Sequence, residues 1–400
     1  MSGGKIWVML PALASAGLLS LGLWAGQPQP PVTGPTPPVA TGPRAPAGMT
    51  VQFQAGSRPD AAMSPLPARV TGRAARDGDG YLHQWPGFHA TARFSGTAVA
   101  LAIDDSVNRY RVTLDETQIV LTRVGAGMLR IGGLAPGRHQ IRLEKLSESA
   151  QIARFDGFFL PAGADPLPPP DRAPLIEFVG DSDTVGYGNT APGRDCTPEQ
   201  QYLATDTSMA YGPMAARALD ADYRIVAASG IGLVRNLGGD HGPAMQDLYD
   251  RTIPSRPGTA PQQPADVIVI AVGSNDFAER PDLKEGHQNL MRQQRIFASR
   301  LLRFMRARRA EAPSARIVLL VFGEYGRNLV EAHEEARDAF AADGDRADLL
   351  ILPELARTAC HWHPSLNDHQ IIAGMLTDLL QSPRPASEPG EDRDGDFPPS

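Results

Sequence analysis

The stretch Leu175-Ile176-Glu177-Phe178-Val179-Gly180-Asp181-Ser182 decides the fold. A mostly apolar run breaks off at a glycine, an acid and a hydroxyl. A run this short, closed by a turn signal, fits a strand buried on both faces, as in a parallel sheet covered by helices. Further runs read the same way at Tyr223–Ala227, Val267–Val272, Ile317–Phe322 and Leu349–Leu352. Between them lie helical patterns at 208–219, 286–312, 329–342 and 367–380, with a short piece at 245–249. In the longest, Leu290, Phe297, Leu301, Phe304 and Met305 share one face, with arginines opposite. Strands alternating with helices predict a doubly wound, flavodoxin-like α/β domain over residues 172–381. In such folds ligands sit outside the carboxyl ends of the strands, so chemistry is sought there.

Upstream the pattern changes. Residues 49–166 read as an all-β sandwich. Short alternating runs recur at Thr91–Phe94, Val99–Ile103, Tyr110–Leu114, Ile119–Leu121, Met128–Ile131 and His139–Lys145, separated by Gly, Asp, Asn and Pro turn signals. Pro168, Pro169 and Pro170 mark a hinge over Leu167–Asp171.

The ends of the chain look different again. Lys5 is the only charged side chain before Arg44, and an apolar stretch spans Ile6–Gly26. A positive end followed by an apolar segment fits a signal peptide over residues 1–26. It is also nearly the ~20 apolar residues that a membrane anchor needs. Ala14-Ser15-Ala16 has the small-x-small cleavage pattern but lies inside the apolar run, so both readings stand. Either one predicts export to the periplasm or beyond, with membrane attachment if the segment is retained. Residues 27–48 read as a Pro-rich spacer, and 382–400 as a disordered tail.

Composition narrows the function. Apolar residues make up 42% of the 400, enough for a real core. A net charge of −7 argues against a dedicated nucleic-acid binder. Two cysteines, Cys196 and Cys360, exclude a disulfide-dense scaffold and a Cys-only zinc site. The first cysteine follows one strand-end motif and the second precedes another, over one edge of the sheet. In an exported protein a disulfide between them is expected, with two free thiols as the alternative.

Four segments sit where ligands should: Gly180-Asp181-Ser182, Ser229-Gly230-Ile231-Gly232, Gly273-Ser274-Asn275-Asp276, and Cys360-His361-Trp362-His363-Pro364. A hydroxyl nucleophile needs a base, and a developing oxyanion needs donors. Ser182 is the candidate nucleophile and His363 the candidate base. The Ser182 and Gly230 N–H groups and the Asn275 amide are the candidate oxyanion donors. Each piece alone has a plainer reading: a turn at Ser182, a tight turn at Gly230, a helix cap at Asn275 or Asp276. His369 falls within the last predicted helix.

Together the four segments resemble the SGNH, or GDSL-type, hydrolases. The match extends to the family-two carbohydrate esterases through Gly186-Tyr187-Gly188-Asn189, Arg235-Asn236, Pro264-Ala265-Asp266 and Trp362-His363-Pro364-Ser365. In the β region, Trp85-Pro86-Gly87 and Phe94-Ser95-Gly96-Thr97 are similar to that family's N-terminal jelly roll. The resemblance covers roughly residues 50–381. It implies removal of O-acetyl groups from poly- or oligosaccharides through an acetyl-Ser182 intermediate, and no metal or organic cofactor. It makes Trp362 an aromatic platform beside the sugar. Tyr187 and Asp183 are further substrate-contact candidates from their place beside Ser182; the Asp183 carboxylate could hold a sugar hydroxyl or repel the oxyanion. Tyr187, Trp85 and the run Arg303, Arg306, Arg308, Arg309 read equally as structural. The sequence departs from the family at two places. His361 stands where an acid is frequent, which implies a Ser–His dyad whose base is oriented by a backbone carbonyl. Asp183 stands where an apolar residue is usual.

Three other functions compete. A zinc hydrolase could use Cys360, His361, His363, Asp368 and His369, but leaves Gly180-Asp181-Ser182 and Gly273-Ser274-Asn275-Asp276 unexplained. An SGNH lipid esterase or thioesterase would prefer longer acyl chains. A glycan-binding protein impaired in turnover would bind sugar without hydrolysis.

Overall fold

The computed structural model describes residues 36–41, 48–239, 242–259, 262–278 and 286–383. The apolar stretch Ile6–Gly26 and the tail beyond 383 lie outside the described residues. Among the described residues, no helix is long and apolar enough to cross a membrane.

The N-terminal region is β-rich. Its strands are β1 (Thr36–Thr41), β2 (Thr50–Ala55), β3 (Ser64–Leu66), β4 (Ala68–Thr71), β5 (Ala74–Asp77), β6 (Gly80–His83) and β7 (His89–Gly96). They continue with β8 (Val99–Asp105), β9 (Arg109–Leu114), β10 (Thr117–Thr122), β11 (Gly125–Gly132), β12 (Gly137–Lys145), β13 (Ala153–Leu160) and β14 (Asp165–Leu167). One antiparallel sheet runs β1-β10-β9-β12-β7-β14, with β4 also on β7; the other runs β2-β11-β8-β13-β6-β5, with β3 on β13. Inward residues such as Phe94, Leu101, Val112, Leu129, Ile141 and Phe155 form one buried cluster.

Eight strands, β1 to β6, β13 and β14, lie outside the runs read from the sequence, and two of them show a physical reason. In β13 a register shift between Phe155 and Gly157 breaks the alternation, and Gly157 takes φ +128. β1 lies inside the expected spacer yet runs antiparallel to β10, an extended Pro-containing segment on the sheet's edge.

The second unit holds a parallel sheet of β15 (Leu175–Gly180), β16 (Asp222–Ala227), β17 (Val267–Ala271), β18 (Arg316–Phe322) and β19 (Ala347–Leu352). Its order is β16-β15-β17-β18-β19. The helices are α1 (Ser182–Val185), α2 (Pro198–Ala204), α3 (Tyr211–Ala218), α4 (Met245–Leu248), α5 (Ser274–Phe277), α6 (Gly286–Glu311), α7 (Arg327–Ala342) and α8 (Leu366–Gln381). Alternate strand residues point to opposite helix layers. Val179, Ile270 and Leu319 pack with Phe297 and Leu301 of α6 and Leu329 and Ala336 of α7. Phe178, Ile225 and Val318 pack with Tyr211 and Ala215 of α3 and Ile372 and Leu376 of α8. The helix expected over 208–219 is two pieces, a 3-10 turn at Thr207–Met209 and then α3, because Ala210 is extended and Pro213 belongs in a first turn.

The two units share a packed boundary. Trp85, 1% exposed, joins the core of the α/β unit, and its indole N–H donates to Arg251 O at 3.0 Å. Gly87 has φ +68, and a Cβ there would stand 2.7 Å from Ile225 Cγ1, so this close approach needs glycine. Tyr223 Oη donates to Glu144 at 2.9 Å and Thr207 N–H to Leu146 O at 2.8 Å. Trp85 and its neighbours are thus structural.

Candidate active site

Register brings the first three motifs into line. Gly180 pairs with Ala227 on one side and Ala271 on the other. Ser182, Gly230 and Asn275 therefore leave three adjacent strands at the same end. Ser182 opens α1, where the first N–H groups have no intrahelical partner. The loop after β16 carries Gly230 at φ +78. Asn275 sits in α5, entered through Gly273 at φ +112, where a Cβ would meet Leu329 Cδ1 at 2.5 Å.

Neither Asn275 nor Asp276 caps a helix. Asn275 Nδ2 donates to Ile231 O at 3.0 Å, which leaves a second N–H on the same nitrogen. The buried Asp276 carboxylate accepts from Leu233 N at 2.7 Å and from Val234 and Arg235 N at 2.9 Å. Burial pushes its pKa up to about 6 despite those donors. At Gly232 a Cβ would lie 2.6 Å from Asp276 Oδ2. One short turn thus fastens the loop carrying Gly230. The β-rich unit holds it from the other side, because Glu148 accepts from both Ser229 N–H (3.0 Å) and Ser229 Oγ–H.

His363 comes from the far end of the chain. Its Nε2 lies 2.9 Å from Ser182 Oγ. Its Nδ1 lies 3.0 Å from Cys360 O and 3.1 Å from His361 O. Carbonyls only accept, so Nδ1 carries the proton and Nε2 is free to take the hydroxyl hydrogen. Burial lowers the His363 pKa, and the charge of Asp183 acts against that shift.

Side-chain crosslinks hold the loop around His363. Cys196 and Cys360 form the expected disulfide. His361 Nε2–H donates to Cys196 O at 2.9 Å, and its Nδ1 accepts from Tyr187 Oη at 3.0 Å. The Tyr187 ring stands 4.3 Å from the His363 ring. Tyr187 is 8% exposed and supports the two histidines rather than presenting itself to a ligand. His361 and Trp362 both adopt left-handed backbone, at φ +51 and +63. Trp362 is 47% exposed, with the Arg194 guanidinium 3.6 Å from its ring centre. One face of the indole is covered and the other is open.

The structure places the remaining candidates elsewhere. Asp183 is 2% exposed, and its two oxygens accept from Arg357 Nη1 at 3.1 Å and Nη2 at 2.7 Å. The carboxylate thus faces Arg357 rather than open solvent. His369 is buried in α8, with Nδ1 accepting from Tyr211 N–H at 3.2 Å. The Cys360 sulfur is taken up by the disulfide and Asp368 caps α8, so the zinc reading loses its ligands. Arg357 and Glu148 were missed. Both are ordinary charged residues in sequence, and only the folded contacts single them out.

Comparison with known proteins places the chain in a family. The family model described as carbohydrate esterase 2 N-terminal matches residues 70–170, and that of the GDSL-like lipase/acylhydrolase family matches 178–360. An acetylxylan esterase / glucomannan deacetylase of Cellvibrio japonicus is 33% identical over 328 residues, covering 79% of this chain and 91% of that protein. The chain belongs to the family 2 carbohydrate esterases. It is a carboxylic ester hydrolase of GDSL type. Among solved structures, a carbohydrate esterase whose active site is described as displaying divergent catalytic and non-catalytic binding functions aligns with TM-score 0.73 at 31% identity, covering 80% of this chain and 98% of that one. A Clostridium thermocellum member, solved in complex with cellohexaose, aligns with TM-score 0.68 at 27% identity, covering 78% and 98%.

Proposed function

We propose that this family 2 esterase removes O-acetyl groups from a carbohydrate, with Ser182 as nucleophile and His363 as base. The observation that carries the reading is the 2.9 Å contact between Ser182 Oγ and His363 Nε2 at the strand ends. Ser182 Oγ attacks the acetyl carbonyl carbon while its proton passes to Nε2. The tetrahedral oxyanion accepts from Ser182 N–H, Gly230 N–H and the second Asn275 amide hydrogen. Collapse breaks the ester C–O bond, and the leaving sugar oxygen takes the proton from His363. Water then attacks acetyl-Ser182, giving its proton to Nε2, and acetate leaves as Ser182 is restored. The Cys360 and His361 carbonyls orient His363 in place of an acid. The open face of Trp362 stacks on the sugar.

In the same reading the β-rich unit is a jelly roll. The α/β unit is doubly wound and flavodoxin-like, for which the parallel order β16-β15-β17-β18-β19 and the two helix layers are the support. The protein is exported, with residues 1–26 as leader or anchor. A disulfide beside the base suits an oxidising compartment.

The test is acetate release from acetylated xylan, acetylated glucomannan and an aryl acetate, by wild type and Ser182→Ala in parallel. Release that the substitution abolishes supports the reading. Equal rates on octanoyl and acetyl esters would favour a lipid or acyl esterase. Sugar binding with no Ser182-dependent release would favour a binding protein.

A further inference from the structure

Position 361 offers no carboxylate, yet one lies beside the dyad. Asp183 directly follows Ser182, and Arg357 grips both of its oxygens. Arg357 Nη1 also donates to Trp362 O at 3.3 Å, and Trp362 directly precedes His363. Arg357 Nε pairs with Glu324, and its backbone N–H donates to Asp368 Oδ2 at 3.0 Å. One guanidinium, held by Glu324 on a backbone held by Asp368, therefore touches the residue after the nucleophile and the residue before the base. Arg357 itself takes φ +46, a left-handed conformation that a non-glycine residue holds only when its contacts demand it.

Resting on the reading of Ser182 and His363 as nucleophile and base, we propose that Asp183 and Arg357 are the positioning pair of this site. Arg357 fixes the distance between the two halves of the dyad, and Asp183 supplies the negative charge that position 361 lacks.

The electrostatics agree with the geometry. Burial pushes the Asp183 carboxyl up, but the Arg357 guanidinium outweighs it and holds the acid below its ordinary range. Asp183 is therefore ionised at neutral pH. Of the groups around His363, Asp183 raises its pKa and Arg357 lowers it. The His361 ring, the phenol of Tyr187, and His369 from α8 complete its surroundings. Asp181, whose carboxyl burial pushes up to about 7, stands behind Asp183.

The test is the pH profile of kcat/KM on an aryl acetate for wild type, Asp183→Asn, Arg357→Gln and the double variant. The base works neutral, so the acid limb reports the His363 pKa in the free enzyme. Asp183→Asn removes the favourable charge, and the limb moves to lower pH by about 0.5–1 unit. Arg357→Gln removes the opposing charge and also the partner that keeps Asp183 ionised, so the two effects on His363 offset and the limb stays at or above the wild-type position. The double variant returns toward wild type. In each single variant kcat falls by roughly tenfold while KM for the small substrate stays put, as expected when alignment rather than binding is lost. Arg357→Lys keeps the charge but loses the fork, so kcat falls with the limb unmoved. It takes the place of Arg357→Gln should that variant not fold. A limb that stays still in Asp183→Asn, a limb that moves to lower pH in Arg357→Gln, or an unchanged kcat in Arg357→Lys overturns the proposal. A wild-type rate that survives Ser182→Ala overturns the underlying reading of the site instead.

Discussion

The two halves of the dyad are held in unlike ways. Ser182 stands on regular scaffold: a buried strand, a glycine and the first residue of a helix, in register with the strands on either side. His363 stands on a loop in which two consecutive non-glycine residues are left-handed. Side chains hold that loop: a disulfide, the Tyr187 hydroxyl, the Arg194 contact with Trp362 and the Arg357 fork. The nucleophile's place follows from local pattern and sheet pairing, whereas the base's place depends on crosslinks between residues more than 150 positions apart. Perturbing either side should lower activity, but with different signatures.

The largest effect is expected on the scaffold side. Asn275→Ala removes an oxyanion donor and should lower kcat by about 10²–10³-fold on an aryl acetate, with little change in KM. The fold should persist, because the Asp276 bonds that hold the neighbouring loop remain. A loss below tenfold would remove Asn275 from the oxyanion site.

The next effect belongs to the loop side. Cys196→Ser with Cys360→Ser should destabilise the protein by about 2–4 kcal/mol, read as denaturant midpoint and slope. Activity measured well below the melting range should also fall, since the disulfide braces the loop that carries His363. Full activity with lowered stability would show that the remaining crosslinks suffice for the base.

The smallest effect is expected at the rim. Trp362→Ala should raise KM on acetylated polysaccharide by about 2–10-fold, the worth of one aromatic face. Turnover of an aryl acetate should change less. Equal losses on both substrates would mean that the indole supports the loop rather than the sugar.

The same contrast explains what the sequence revealed. The strand-end motifs were legible because short apolar runs closed by Gly180-Asp181-Ser182 and Gly273-Ser274-Asn275 carry their own turn chemistry. Ser182, Gly230 and Asn275 therefore leave adjacent strands at one end of the sheet, where the loop before α8 brings His363 to Ser182. The β13 strand was invisible because its bulge at Gly157 destroys the alternation. Asp183 read as a group facing substrate because its partner, Arg357, lies 174 residues away and has no local signature. Arg357 and Glu148 act only through contacts that folding creates, so no motif could announce them.

The most direct measurement is labelling with a fluorophosphonate, followed by intact mass and peptide mapping, for wild type and His363→Ala. The account predicts one adduct per chain, on Ser182, formed quickly in wild type and slower by roughly 10²–10⁴-fold in His363→Ala. An adduct on another residue, or equal labelling rates in the two proteins, would contradict a nucleophile at Ser182 activated by His363.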